Sequence, residues 1–255
     1  MRPKLITMPL RESCYDPLFK TLISQNTLKW KPWVGEDYET LKTNRLLIVG
    51  ESHYQWDDGD DAAKRVNRDN YTRDLIHVKG LWGKEDAINP IVRNTERALF
   101  NRQVVERAFR DKLWRSVSFY NFIQAPMDSL NHRPTAKQWE QGWDSFFKVV
   151  DILQPDQILF LGLEASNRME FFSNALAKND YKCTKGIRKD IKVGNAFKRT
   201  RGIITNEAGI EASISMIGHP SNFFSWKAWA GVLKQQMPGY IQWLKASEQI
   251  PEGQD

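Results

Sequence analysis

Polar residues follow three apolar stretches of the chain, and each group contains a side chain suited to acid–base or hydrogen-bond chemistry. Glu51, Ser52, His53 and Tyr54 come directly after the run that ends in Gly50. Asn121 ends a second apolar run, and His219, Ser221 and Asn222 follow a third. In open α/β sheets, ligands bind just beyond the carboxyl ends of the strands. We therefore expect these three groups to form one candidate active site.

Two other chemistries compete for the first group. Gly50–Tyr54 resembles a nucleophile elbow, but that motif needs glycine where Tyr54 stands, and no acid can be assigned the third position of a triad. A serine hydrolase therefore remains a minor alternative. His53 with Asp57 and Asp58 could bind a metal, but no HxH or HxxxH spacing supports a metal site, and we expect none.

The composition indicates a folded protein in a reducing compartment. The 255 residues are 41% hydrophobic and 12% aromatic, enough for a large core in one domain. Cys14 and Cys183 offer no disulfide framework, and the first residues lack the apolar core of a signal peptide. No apolar run approaches the roughly 20 residues of a membrane helix. We expect a cytoplasmic protein without membrane contact.

The hydrophobic pattern predicts alternating strands and helices. Buried strands are predicted at 46–50, 114–123, 157–162 and 213–217. Helices are predicted at 91–112, 165–176, 226–236 and 239–247, and another is predicted to start at a capping box at 135–138. This alternation favours a three-layer α/β/α sandwich with a mostly parallel central sheet. Residues 1–45 are expected to pack on the domain formed by 46–255.

Residues 181–201 differ from the rest of this domain. Eight basic residues stand against one acid, Asp190, and turn residues interrupt the segment. A hairpin or a mobile loop is expected here. A basic segment of this kind would neutralise DNA phosphates, whereas a solvated hairpin is the alternative. The candidate DNA-binding residues in it are Lys185, Arg188, Lys198, Arg199 and Arg201.

Five motifs in order resemble the uracil-DNA glycosylase superfamily. They are L-L-I-V-G-E-S-H-Y, F-Y-N-F-I-Q, N-H-R-P-T, Q-P-D-Q-I-L-F-L-G-L-E-A-S and I-G-H-P-S-N-F-F. The resemblance covers about residues 46–235, and the G-E-x-x-Y and H-P-S elements are its most specific parts.

The resemblance implies a role for each strand-end residue. Gly50–His53 would position the attacking water, Tyr54 would close the pocket beside the base, and Asn121 would bind the edge of the base. His219 would stabilise the negative charge that develops on the departing base. The residues implied to contact DNA are Ser166, Ser221, Asn222 and the apolar wedge Phe223.

The chain also departs from the family pattern. Ser52 stands where many members have a water-activating Asp or Asn, so that Glu51 or His53 would have to perform this task. His53 replaces a proline or another small residue, and the cysteine ligands of iron–sulfur relatives are missing. The 181–201 segment is not a standard family part. These departures favour an altered substrate, such as a bulky or modified base of foreign DNA.

The sequence therefore predicts a monofunctional DNA glycosylase that flips a base out of the duplex and leaves an abasic site. We expect a monomer that binds DNA and needs no cofactor. The alternative is a module of the same fold that binds DNA or a modified base without cleaving it, as Ser52 would allow.

Overall fold

The computed structural model describes residues 12–54, 64–81, 89–129, 132–162, 169–193, 196–221 and 224–246. Seven strands form a single sheet: β1 (Trp33–Val34), β2 (Leu46–Gly50), β3 (Val117–Asn121), β4 (Gln157–Leu161), β5 (Tyr181–Val193), β6 (Ala196–Asn206) and β7 (Glu211–Ile217). The helices are α1 (Asp16–Ser24), α2 (Tyr71–Ile76), α3 (Pro90–Phe100), α4 (Arg107–Ser116), α5 (Ala136–Leu153), α6 (Met169–Lys178), α7 (Trp226–Gln236) and α8 (Pro238–Lys245). A short 3-10 turn at Tyr38–Thr40 and a π-helical turn at His77–Leu81 complete the described elements.

The sheet has a parallel centre and antiparallel edges. Its strand order is β1-β3-β2-β4-β7-β6-β5. The four central strands pair in parallel, whereas β1, β6 and β5 join them in antiparallel pairs. The expected α/β class is confirmed, but parallel and antiparallel pairings are equal in number, so "mostly parallel" holds only for the centre.

Alternate residues of the central strands enter two different hydrophobic clusters. Leu47 and Val49 pack with residues of α1, α5 and α6, whereas Leu46 and Ile48 pack with residues of α2, α3, α4, α7 and α8. Successive side chains of a strand point to opposite faces of the sheet. Burial on both faces explains why β2 is a continuous apolar run rather than an alternating one.

The single helix predicted at 91–112 is wrong. The chain forms two helices, because Asn101 adopts the left-handed conformation (φ 55°) that ends α3. The break allows Arg110 of α4 to reach back to Glu96 of α3 at 3.2 Å, with both side chains buried. Fourteen residues of continuous helix would separate these two positions by roughly 21 Å.

For the strand predicted within 114–123, the expected end near Asn121 is confirmed and the start is wrong. Residues 114–116 belong to α4, and the strand begins at Val117 and ends at Asn121. Trp114 is held in the helix by its indole, which donates to Glu96 Oε1 at 2.8 Å. The capping box at Thr135 and Gln138 is confirmed, as are the strands after it and the 181–201 hairpin.

Residues 1–45 are linked to the sheet as well as packed on it. Within the described part, Trp33 pairs with Phe119, and this pairing makes β1 the edge strand beside β3. The buried Asp16 of α1 forms two hydrogen bonds with Arg73 of α2, of 2.6 and 2.8 Å. This pair lowers the pKa of Asp16 to about 2 despite the opposing effect of burial.

Candidate active site at the carboxyl ends of the parallel strands

Strand register brings the three polar groups to one edge of the sheet. Gly50 lies directly opposite Asn121, and Leu161 lies opposite Ile217. Because Val49 pairs with Phe160, the carboxyl ends of all four parallel strands are level. The loops that carry the predicted site residues therefore start side by side.

A cavity of about 100 Å³ lies at this edge. Its wall contains all the strand-end residues predicted for catalysis and base binding: Gly50, Glu51, Ser52, His53, Tyr54, Asn121 and His219. The remaining lining is mostly apolar and is contributed by Tyr71, Leu75, Ile76, Asn89, Ile91, Val92, Thr95, Trp114, Phe119 and Leu161. The cavity thus combines a few polar groups with an apolar floor, as ligand pockets commonly do.

Gly50 and Asn121 fit together because glycine leaves space for the amide. A Cβ atom on residue 50 would overlap Asn121 Oδ1 and would lie 3.0 Å from the Phe119 ring. Asn121 is only 5% exposed, and it contributes to the lining of the cavity. An amide at this position can offer both a donor and an acceptor to a ligand.

His219 lines the cavity with a neutral ring. Burial lowers the pKa of His219, and the nearby positive charge of Arg133 lowers it further. Nδ1 of His219 is 2.9 Å from the hydroxyl of Ser221. The loop is held in place by Asn94 of α3, whose amide donates to the Pro220 carbonyl at 3.2 Å. At neutral pH the ring can therefore donate one hydrogen bond without carrying a positive charge.

His53 occupies a tightly packed position within the cavity wall. Its ring lies edge-on to Trp30 and Tyr71, with centroid distances of 4.7 and 4.8 Å. Nε2 is 2.8 Å from the Thr72 hydroxyl, and the side chain is only 4% exposed. Burial lowers its pKa to about 3. A histidine this weakly basic is a poor acceptor for the proton of an attacking water.

Glu51 is the carboxylate best placed for chemistry at this edge. Its side chain is 13% exposed, and Oε1 lies 3.6 Å from a guanidinium nitrogen of Arg133. Gly162 follows β4 with φ +138°, a conformation that favours glycine. A Cβ atom on Gly162 would lie 3.9 Å from both Glu51 Oε2 and the His219 ring. The carboxylate and the imidazole therefore flank the same glycine.

Ser52 does not have the surroundings of a catalytic serine. Its Oγ is buried and has no hydrogen-bond partner among the described residues. The neighbouring imidazole of His53 bonds Thr72 instead. A serine nucleophile needs an adjacent base to take its proton. The described part of the site therefore gives no support to the serine-hydrolase alternative.

The N-terminal segment braces this edge of the sheet through Gln124. The amide nitrogen of Gln124 donates to the Asn121 carbonyl, and its oxygen accepts from the backbone N–H of Lys29 at 2.9 Å. Tyr54 is held beside this brace by a parallel β-bridge with Met127. These contacts fix the backbone on either side of the cavity.

Some predicted DNA-binding residues cannot be placed in the same way. Ser166, Asn222 and Phe223 lie outside the described residues, as do Asp57 and Asp58 of the metal alternative. Ser221 is described, and its hydroxyl contacts His219. The basic residues fall on the β5–β6 hairpin rather than in the cavity wall: Lys185, Arg188, Lys198, Arg199 and Arg201.

Three residues that support the candidate catalytic groups are not indicated by the sequence pattern. Arg133, Thr72 and Asn94 each contact a candidate catalytic residue or its loop. Arg133 stood in the N-H-R-P-T motif without an assigned role, and the motif itself was the only signal for it. Thr72 and Asn94 lie on helices. The hydrophobic pattern of these helices indicates only which residues are buried and which are exposed.

The described residues include neither a metal-binding cluster nor a membrane-spanning helix. No group of three or more His, Cys, Asp or Glu side chains in this part of the chain could hold a metal ion. Its helices are all too short or too polar to cross a membrane.

Comparison with known proteins adds no relative. No protein-family model matches the chain, and no curated protein matches it in sequence. The resemblance to uracil-DNA glycosylases therefore depends on the motifs alone and stays a prediction.

Proposed function

We propose that this protein is a monofunctional DNA glycosylase, related in fold and site to the uracil-DNA glycosylase superfamily. The observation that carries the proposal is the single cavity that Glu51, Asn121 and His219 share at the carboxyl edge of the sheet. A base inside a duplex is unreachable, so it would be flipped into this cavity. The two helix-lined clusters on the sheet support an α/β/α arrangement for the fold.

The cavity also supports a narrower choice of base. Its volume of about 100 Å³ is well below the roughly 300–1,000 Å³ typical of pockets for drug-sized ligands. Asn121 offers one amide donor and one amide acceptor to a planar edge, while the apolar floor would contact the ring faces. We therefore favour a base with at most a small substituent on its ring over a glucosylated base. This preference applies whether or not the DNA is foreign.

His219 would lower the barrier to breaking the glycosidic bond. When the C1′–N bond breaks, its electron pair moves onto the base, which becomes negatively charged. A neutral imidazole can donate a hydrogen bond to this charge as it develops. The contact with Ser221 supports this role if the hydroxyl donates to Nδ1, because the ring proton then lies on Nε2.

Glu51 would act on the sugar side of the same bond. A carboxylate stabilises the positive charge that develops at C1′, and it can accept the proton of the attacking water. The water oxygen then forms the new bond to C1′, and the base leaves with the electron pair. The packed and weakly basic His53 is less suited to this role.

The second candidate function is binding without cleavage. Two observations favour it: Ser52 stands where the family usually has an acid or amide, and Glu51 is already paired with Arg133. In that case the protein would hold a flipped base in the cavity with the base intact. In either case we propose a cytoplasmic, monomeric protein with DNA as its partner.

The proposal is tested with duplexes that contain uracil, hypoxanthine, 5-hydroxymethylcytosine or its glucosylated form, followed by heating in alkali. We expect strand breaks at one of the small bases and none at the glucosylated base. Glu51→Gln should abolish the breaks without changing the melting temperature. If no duplex breaks but the DNA is bound tightly, the binding module is the better account. If neither occurs, both are wrong.

A further inference from the structure

The β5–β6 hairpin extends beyond the sheet that supports it. β6 pairs with β7 only from Arg201 to Thr205, whereas its pairing with β5 continues to the Val193–Ala196 end. Among the described strands, none therefore pairs with residues 196–200 or with the outer side of their partners on β5. At about 3.3 Å per residue, this two-stranded arm reaches roughly 16 Å past its last sheet contact.

The arm projects from the edge of the sheet that carries the cavity. β7 runs towards its carboxyl end at Ile217, two residues before His219. Since β6 is antiparallel to β7 and Arg201 pairs with Ser215, residue 199 is level with Ile217, and residues 196–198 continue past that carboxyl end. The backbone alone therefore places the arm next to the catalytic edge rather than at the opposite one.

The positive charge of the whole protein is concentrated in the segment containing this arm. Residues 181–201 hold eight Lys and Arg against one Asp, a net charge of +7. The full chain has a net charge of +6, so the other 234 residues together carry −1. A body this close to neutral offers little general attraction for a polyanion, and the β5–β6 hairpin must supply most of it.

The register places basic residues at opposite positions along the hairpin. Arg188 pairs with Arg201 at the base of the arm, and Lys189 pairs with Arg199 within it. Shifts of register between Cys183 and Ile191 also bend and twist the ribbon, as β-bulges do.

We propose that this arm is a duplex-DNA clamp whose two strands enter the major groove beside the flipped nucleotide. The major groove admits a two-stranded β-ribbon, and the reach of the arm covers about half a helical turn. The arm would hold the duplex by its phosphates while the cavity binds the base. This inference rests on the proposed function for its partner, DNA, but it does not require that the base be cleaved.

The test compares two variants of equal charge by fluorescence anisotropy on a 24-base-pair duplex. In the arm variant, five basic residues become Gln: Arg188, Lys189, Lys192, Lys198 and Arg199. In the control variant, five exposed lysines elsewhere become Gln: Lys20, Lys42, Lys137, Lys148 and Lys234. We expect the arm variant to bind at least 100-fold more weakly at 0.1 M salt, with a salt slope smaller by about four. The control should lose less than fivefold.

A second measurement separates groove insertion from general attraction. Guanine N7 faces the major groove, so the bound arm should protect N7 from dimethyl sulfate on one side of the target base. Shortening the arm by replacing residues 190–197 with Asn-Gly should remove this protection, and circular dichroism would report whether the fold persists.

The clamp proposal would be overturned if the two charge variants lost equal DNA affinity. It would also be overturned if guanine N7 stayed reactive towards dimethyl sulfate at saturating protein. Equal affinity for single-stranded DNA, or for an RNA hairpin, would overturn the duplex assignment. Arm-dependent binding without base release would leave the clamp standing and refute only the glycosylase.

Discussion

The loops after β2 and β7 carry the same signal in sequence and differ in the structure. Each has a glycine at the end of an apolar run and a histidine shortly after it, His53 in one and His219 in the other. Both side chains line one cavity, and burial lowers the pKa of both. His53, however, is enclosed by two aromatic rings, whereas His219 is partly exposed beside Ser221 and Arg133. A histidine at a strand end can thus shape a site or act in it, and its neighbours decide which.

The largest expected difference between the two loops lies in catalysis. His219→Ala should reduce base release by about 10²–10³-fold, because loss of one donor to a developing charge has effects of that size. DNA affinity and the melting temperature should change little. Single-turnover rates on the preferred duplex measure the effect. His132→Ala, at an exposed histidine, is the matched control and should retain full activity. A tenfold loss or less for His219→Ala would remove it from the chemistry.

The second difference lies in stability. His53→Ala should lower the free energy of unfolding by about 2–4 kcal/mol, because it leaves a cavity between Trp30 and Tyr71 and an unpaired Thr72 hydroxyl. Urea denaturation measures this loss. His219→Ala, tested in parallel, should lose less than about 1 kcal/mol. If the two variants are equally stable, the contrast between the loops is wrong.

The third difference is a pH dependence of stability that His53 introduces. Its pKa falls from 6.5 to about 3 on folding, so below pH 6.5 the unfolded state binds a proton that the native state does not. The contribution of the neutral His53 to the free energy of unfolding is fully present above pH 6.5 and is lost as the pH falls towards 3. Between pH 8 and pH 5, protonation of this histidine in the unfolded state should lower the free energy of unfolding by about 2 kcal/mol. Urea denaturation of wild type and His53→Leu at both pH values isolates it, and parallel losses would contradict it.

The smallest effect should come from substitution of Ser221. This substitution tests whether the rate depends on the orientation of the His219 ring as well as on the presence of that ring. Ser221→Ala removes the 2.9 Å contact with Nδ1 and should slow base release about 3–10-fold, the equivalent of one ordinary hydrogen bond. The pH profile of single-turnover rate should shift as well, because the ring loses a partner. Ser221→Thr keeps the hydroxyl and should restore most of the rate. An unchanged profile in Ser221→Ala would limit this serine to DNA contact.

Much of the fold could be predicted from local sequence patterns. The apolar runs at 46–50 and 157–161 form buried central strands, and the capping box starts α5 where it was expected. The break at Asn101 was missed because an apolar period continues across it. The left-handed Asn101 ends α3, and the buried Glu96–Arg110 pair, between residues far apart along a continuous helix, holds α4 back against α3.

The candidate site divides in the same way. The sequence by itself determined which residues stand at the strand ends, because strand length, glycine position and polarity are local properties. Which of them can react was decided by tertiary structure. Trp30 and Thr72 enclose His53 from 23 and 19 positions away along the chain, and Arg133 reaches Glu51 from 82 positions away. Burial and charge set the pKa and the free hydrogen-bonding capacity of each group, and both depend on neighbours that only the folded chain brings together.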